Sequence, residues 1–214
     1  MTERALLGTI EAKIHRKEEE SLKKAIGKYS ALRVSVTALC ASLICLCSWI
    51  ALPIGGVPMT LQVFGVAFCG FLLGARGGAS ATALYLALGA VGLPVFAGFG
   101  ASLAFLVGPT GGFLVGFLPL AFLCGIGARR KTMLAALTLA WTGLALCHIG
   151  GILWFAHVSA VSPTQAFLLS SLPYIIKDIL FVALACVTAT KIKKRIRGSS
   201  FFKTEESAEE NVKR

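Results

Sequence analysis

From residue 32 onward the chain reads as long apolar runs separated by short breaks, at 32–52, 60–74, 78–93, 112–128, 132–155 and 173–190. At 1.5 Å per helical residue, runs of this kind are candidates to cross a hydrocarbon layer about 30 Å thick. The pattern predicts an all-α membrane protein with six transmembrane helices. The breaks alternate in charge. Lys28 precedes and Arg33 opens the first run, Arg76 lies between the second and third, Arg129, Arg130 and Lys131 lie between the fourth and fifth, and Lys191, Lys193, Lys194, Arg195 and Arg197 follow the sixth. The other breaks carry no Lys or Arg, so basic residues on the inner side predict that both termini are cytoplasmic and that the loops at 53–59, 94–111 and 156–172 face outward.

Two of those outward breaks are unusual. Residues 53–59 are rich in Gly and Pro, and the 94–111 segment, PVFAGFGASLAFLVGPTG, is too apolar for a loop in bulk water. Irregular backbone at membrane depth is tolerated where protein buries it or where it lines a cavity, so both loops are expected to cap a ligand cavity. The last outward break carries Ser162, Pro163 and Gln165, a capping box with proline at the first helical position, while Ser171 and Pro173 offer a second start. A short outer helix that ends or kinks near Pro173 suits the final span better than one straight helix of 28 residues, which would run about 42 Å.

The domains follow from the same pattern. Residues 30–194 form the six-helix substrate-binding domain, and 195–214 form a polar cytoplasmic tail. Residues 1–29 form a cytoplasmic extension whose apolar spacing (Leu6, Ile10, Ile14; Leu22, Ile26) leaves a helix on the membrane surface as the alternative. In the first span, Ala31, Ser35, Ala38 and Ser42 have the small-residue spacing that permits close helix contact, a candidate face for a partner.

Composition agrees: 56% of the 214 residues are hydrophobic and only 14% charged, with mean hydropathy +0.79, against about 25% charged in soluble domains. The net charge of +11 does not point to nucleic acid, because the cations flank apolar runs instead of forming a phosphate footprint. Seven cysteines, all in apolar runs and without a CxxC pair, read as small hydrophobes, so no metal and no cofactor is expected. The sequence lacks GxxxxGK[ST], HExxH and GxSxG, so no catalytic residues are assigned and energy for transport would have to come from a partner or an ion gradient.

One residue stands apart. Between Ser21 and Thr204 the only carboxylate is Asp178, next to Lys177 inside the sixth run. Ionisable residues at that depth cost about 2.5 to 3.5 kcal/mol each on insertion scales and mostly face a cavity or a partner. Gln62, Thr60 and Tyr85 are further polar candidates, each of which also fits a helix-to-helix hydrogen bond. The turn Gly108, Pro109, Thr110, Gly111, Gly112 precedes a span, where free N–H groups and the helix dipole can receive an anionic or carbonyl group; a turn without a ligand is the plainer reading. Phe96 and Phe99 are candidates to cover an apolar ligand. His148 reads as a hydrogen-bonded helix contact, and Trp49 and Trp154 as an outer aromatic belt.

The segments PIGGVPMTLQ (53–62), LLGARGG (72–78), LYLALGAVGLPVFAGF (84–99) and LVGPTGG followed by FLVGF (106–117) resemble the BioY family of substrate-binding (S) components of energy-coupling-factor (ECF) transporters. The resemblance implies a six-helix protein of the bacterial cytoplasmic membrane that is not an enzyme. It would bind biotin from outside, capped by the loops after the first and third spans, and dock through its first helix on a coupling subunit with two ABC ATPases. The implied ligand-binding residues are Gln62, Tyr85, Phe96, Gly108, Pro109, Thr110, Gly111, Lys177 and Asp178. This chain departs from the family pattern P-F-x-x-G-D-x-x-K: Lys177 stands at the expected glycine and Phe181 at the expected lysine, and Phe113 stands where a tyrosine usually follows GPTGG. A different small vitamin or cofactor precursor is therefore the alternative, and an accessory or enzymatic intramembrane subunit is the alternative of another class.

Overall fold

The computed structural model describes residues 31–52 and 59–196. The extension at 1–29, most of the loop at 53–59 and nearly all of the tail expected from 195 lie outside the described residues. Two compact units are distinguished, Met1–Val36 with Arg197–Arg214, and Thr37–Ile196. The second holds everything described below except the first turns of helix α1, which runs Ala31–Trp49.

After α1, a two-residue strand β1 (Ala51–Leu52) pairs antiparallel with β2 (Met59–Thr60), in the register Ala51 to Thr60 and Leu52 to Met59. The ribbon places Thr60 beside the C-terminal end of α1. Helix α2 (Gln62–Ala90) follows, then a 3₁₀ turn (Ala97–Phe99), α3 (Leu103–Val107), α4 (Gly111–Gly127), α5 (Met133–Ser159), α6 (Pro163–Ser170) and α7 (Leu172–Ile196). Four of the described helices, α1, α2, α5 and α7, are long and apolar enough to cross a membrane, and α4 is a shorter apolar helix.

Helix α2 is not one rod. Gly74 has φ 77° and ψ 178°, a conformation open to glycine and strained for any other residue. Two contacts show what the break does. A Cβ added at Gly78 would lie 2.5 Å from the Gly70 Cα, and the Gln62 and Tyr85 side chains hydrogen-bond at 2.5 Å. In a continuous helix those last two residues would stand about 34 Å apart. Residues 62–73 and 75–90 are therefore the arms of an antiparallel hairpin, turned at one residue and closed by glycine against glycine. The second and third predicted runs correspond to these arms, with a far tighter turn than the 74–78 break suggested.

Close packing continues across α4, which packs against both α2 and α5. Where α4 meets α5, a Cβ at Gly116 would come 2.9 Å from the Cys147 Cα. In lipid, apolar surface gives helices no reason to associate, so small residues and van der Waals contact must hold them. Helix α7 shows the matching polarity: Ile176, Leu180 and Leu184 form an exposed stripe, Ile176 being 71% exposed, while Asp178, Val182, Ala185 and Ala189 are buried inward. The outward face is apolar and the carboxylate points in, the reverse of a soluble helix.

The capping box at Ser162 and Gln165 is formed in both directions, with Pro163 at the helix start. Helix α6 then stops at Ser170, and α7 begins at Leu172. The seven cysteines are free and buried.

Candidate ligand cavity

A cavity of about 120 Å³ opens among the helices near one end of the bundle. Thr60, Gln62 and Val63 line one side, where β2 runs into α2; Phe113, Leu114 and Phe117 of α4 form the back; Phe96, Ala97 and Phe105 form the cover. Cys147 and His148 of α5 and Ser170, Tyr174, Lys177 and Asp178 complete the far wall.

The apolar 94–111 loop is a folded cover. Phe96 is 1% exposed and lies edge-on to Tyr85 at 5.5 Å, with Phe105 5.6 Å on its other side. Gly98, Phe99 and Ser102 all have positive φ, which the Ser102 side chain offsets by accepting from the Ala104 N–H. Both candidate belt tryptophans hold this cover down. The Trp49 indole donates to the Pro94 carbonyl at 2.9 Å and lies 5.2 Å from the Phe99 ring; the Trp154 indole donates to the Gly108 carbonyl at 2.9 Å. Backbone acceptors have no sequence signature, so the sequence pointed only to their amphipathic character.

Two polar clusters face each other across the cavity. In the first, the Gln62 amide donates to Ser48 at 3.1 Å and to the Tyr85 hydroxyl, and its carbonyl accepts from Thr60 at 2.9 Å. Tyr85 donates to Ser48 at 3.3 Å. Both N–H donors of the amide are therefore committed within the protein.

The second cluster is built on α7. The Lys177 ammonium donates to the Thr60 carbonyl at 2.8 Å, lies 2.7 Å from Asp178 Oδ1, and stands 5.2 Å from the centre of the Phe181 ring. Adjacent helical positions point about 100° apart, so the long lysine side chain curls back to reach its neighbour. That approach neutralises the carboxylate without aligning with it. Asp178 Oδ1 is buried and accepts no aligned hydrogen bond among the described residues. On the other side His148 Nε2 lies 3.5 Å from Asp178 Oδ2, and His148 Nδ1 is hydrogen-bonded to Ser171 Oγ at 2.5 Å. Ser, His and Asp are the residue types of a hydrolase triad. Ser171 is fully buried and does not line the cavity, so its hydroxyl orients the imidazole and is not presented to a substrate.

Of the residues singled out in the sequence, Gln62, Phe96, Thr110, Lys177 and Asp178 line the cavity. Tyr85 is fully buried behind Gln62, and Gly108, Pro109 and Gly111 do not line it. Within the turn at 108–112 the N–H groups of Gly108 and Gly111 bond to the Ala104 and Gly108 carbonyls. Ser48, Tyr174 and Phe117 were not singled out as site residues, Ser171 was read only as a helix start and Phe113 only as a departure from the family pattern; single hydroxyls and rings in apolar runs give no signal above background. Phe99, 63% exposed, stacks on Trp49 and is not part of the lining. Ala31, Ser35, Ala38 and Ser42 are exposed, with the Ser35 and Ser42 hydroxyls bonded to the carbonyls of Ala31 and Ala38. Among the described residues no group of His, Cys, Asp and Glu could hold a metal ion.

Long apolar helices, a lipid-facing exterior and a partly polar cavity under a folded cover define a multi-pass membrane protein with an internal chamber. The chain belongs to the BioY family, whose sequence pattern matches residues 19–198. It is 37% identical over 163 residues to a probable biotin transporter of Pyrococcus horikoshii, covering 76% of this chain and 97% of that one. The biotin transporter of Thermotoga maritima is also 37% identical, over 72% of this chain and 90% of its own length. Among solved structures, the S-component for biotin from an ECF-type ABC transporter superposes with a TM-score of 0.71 at 26% identity, covering 77% of this chain and 92% of the other.

Proposed function

We propose that this chain binds biotin in the cavity and mediates its uptake across the bacterial cytoplasmic membrane, as the S component of an ECF-type transporter. Family membership and the named functions of its relatives support the transport class. The observation that carries the ligand is Asp178 Oδ1, a buried carboxylate oxygen without an aligned donor among the described residues. The ureido ring of biotin supplies N–H donors for that acceptor, and charge-assisted bonds of this type are worth about 1.5 to 3 kcal/mol each. The apolar rings fit against Phe96, Phe113 and Phe117. Thr110 and Lys177 take the remaining polar contacts, and Gln62, Tyr85, Gly108, Pro109 and Gly111 shape the wall and cover behind them.

In this reading the chain crosses the membrane six times, through α1, the two arms of α2, α4, α5 and α7, with both termini cytoplasmic. The exposed small-residue face of Ala31, Ser35, Ala38 and Ser42 docks on a coupling subunit that works with two ABC ATPases. Equilibrium binding of labelled biotin to the purified chain tests the ligand: the parent is expected to bind, and Asp178→Asn to lose about 100-fold in affinity. Equal binding by both chains would remove Asp178 from the site. Desthiobiotin, which keeps the ureido ring, is expected to compete. Uptake into cells with and without the coupling subunits tests the partners.

A further inference from the structure

At the opposite end of the helices from the biotin cavity lies a second, unrelated cleft of about 460 Å³. Its rim carries Arg130 and Lys131 from the turn after α4 and Lys191 and Lys194 from the end of α7; its floor includes Phe71 and Val187. None of the four basic side chains has a hydrogen-bond or ion-pair partner among the described residues. Nor is there a described carboxylate nearby to neutralise them, because Asp178 belongs to the other end. A topology signal requires only that cations lie on the inner side. It does not require that cations from two separate elements surround one cleft with an apolar floor.

We infer that this cleft binds the headgroup of an anionic phospholipid of the inner leaflet. The inference rests on the proposed orientation, which puts these helix ends at the cytoplasmic surface. A phosphodiester there meets cations from two directions, and Phe71 and Val187 receive the glycerol and the first methylenes of the acyl chains. A free phosphate would satisfy the cations but leave the apolar floor wet.

Native mass spectrometry of the full-length chain, released from micelles containing equal phosphatidylglycerol and phosphatidylcholine, tests this. The parent is expected to retain phosphatidylglycerol selectively, and Lys191→Gln with Lys194→Gln to reduce that retention by about tenfold. Val187→Trp fills the floor without changing charge and is expected to reduce it as well. Retention unaffected by Val187→Trp would show diffuse surface charge and overturn the site. Full displacement by millimolar inorganic phosphate would assign the cleft to a free anion and overturn the lipid. Biotin binding is measured on every variant as a check of the fold. If the parent itself fails to bind biotin, the proposed function fails while the lipid comparison still stands.

Discussion

The two polar clusters on either side of the cavity use similar residue counts and opposite logic. Around Gln62, each of the amide's N–H donors already has a partner in Ser48 or Tyr85. Around Asp178, a neutralising lysine and a histidine stand close, yet one carboxylate oxygen is left without an aligned donor. The Lys177 ammonium 2.7 Å from that oxygen supplies the counter-charge, so the charge is paired while a direction for a further donor stays open. A well-aligned hydrogen bond to a charged group is worth about 1.5 to 3 kcal/mol, which a ligand can supply. The satisfied cluster therefore fixes the α1–α2 wall, and the incomplete one is the place where a ligand makes its gain.

Breaking the pair at α7 should give the largest effect. Lys177→Met leaves Asp178 buried without its counter-charge and is expected to cost about 3 to 5 kcal/mol of stability in a denaturant titration. Adding Asp178→Asn to the same chain should restore most of it, and a double mutant that is no more stable than Lys177→Met would mean the two charges are not coupled. The opposite cluster should separate stability from affinity: Gln62→Leu is expected to destabilise by about 2 kcal/mol, since Tyr85 and Thr60 lose their partner, while biotin affinity shifts by less than about tenfold. A larger loss of binding than of stability would make Gln62 a direct contact. Ser171→Ala removes the hydroxyl that orients His148, and affinity is expected to fall about fivefold, with Ser171→Thr restoring it. Smallest, Trp154→Phe frees the Gly108 carbonyl and should raise the biotin dissociation rate about threefold in a chase experiment, leaving the association rate unchanged.

How much of this was readable beforehand depended on whether the signal lay in one residue or in a meeting of several. Asp178 was conspicuous because a lone carboxylate in an apolar run is expensive wherever it points. Ser162 with Gln165 was readable because a capping box is local, and α6 begins there. The hairpin was legible as two runs, yet its turning residue was not, since Gly74, Gly77 and Gly78 look alike until packing decides which takes the left-handed conformation. The turn at 108–112 suggested an anion receptor from composition, and there the N–H groups of Gly108 and Gly111 bond to nearby carbonyls, which composition does not reveal. The tryptophans and the Ser171–His148 bond depend on contacts over 23 to 46 residues, which no local pattern encodes. Phe181 is the converse case. The family pattern leads one to expect a lysine there, and the structure places a ring beneath the ammonium of Lys177 instead.

The turn at Gly74 also bears on how the protein is made. Arms of 12 and 16 residues, 62–73 and 75–90, extend only about 18 and 24 Å, so in the proposed topology each is a short span for a hydrocarbon layer of about 30 Å. The first arm is buried along nearly its whole length. It has almost no surface of its own to offer lipid, and its resting place does not exist until α4 and α7 have been synthesised. Burial of the first arm is therefore complete only when the later helices are in place. A substitution at Gly74 would therefore be felt first as failed membrane insertion and rapid degradation, before any defect in ligand handling could be measured.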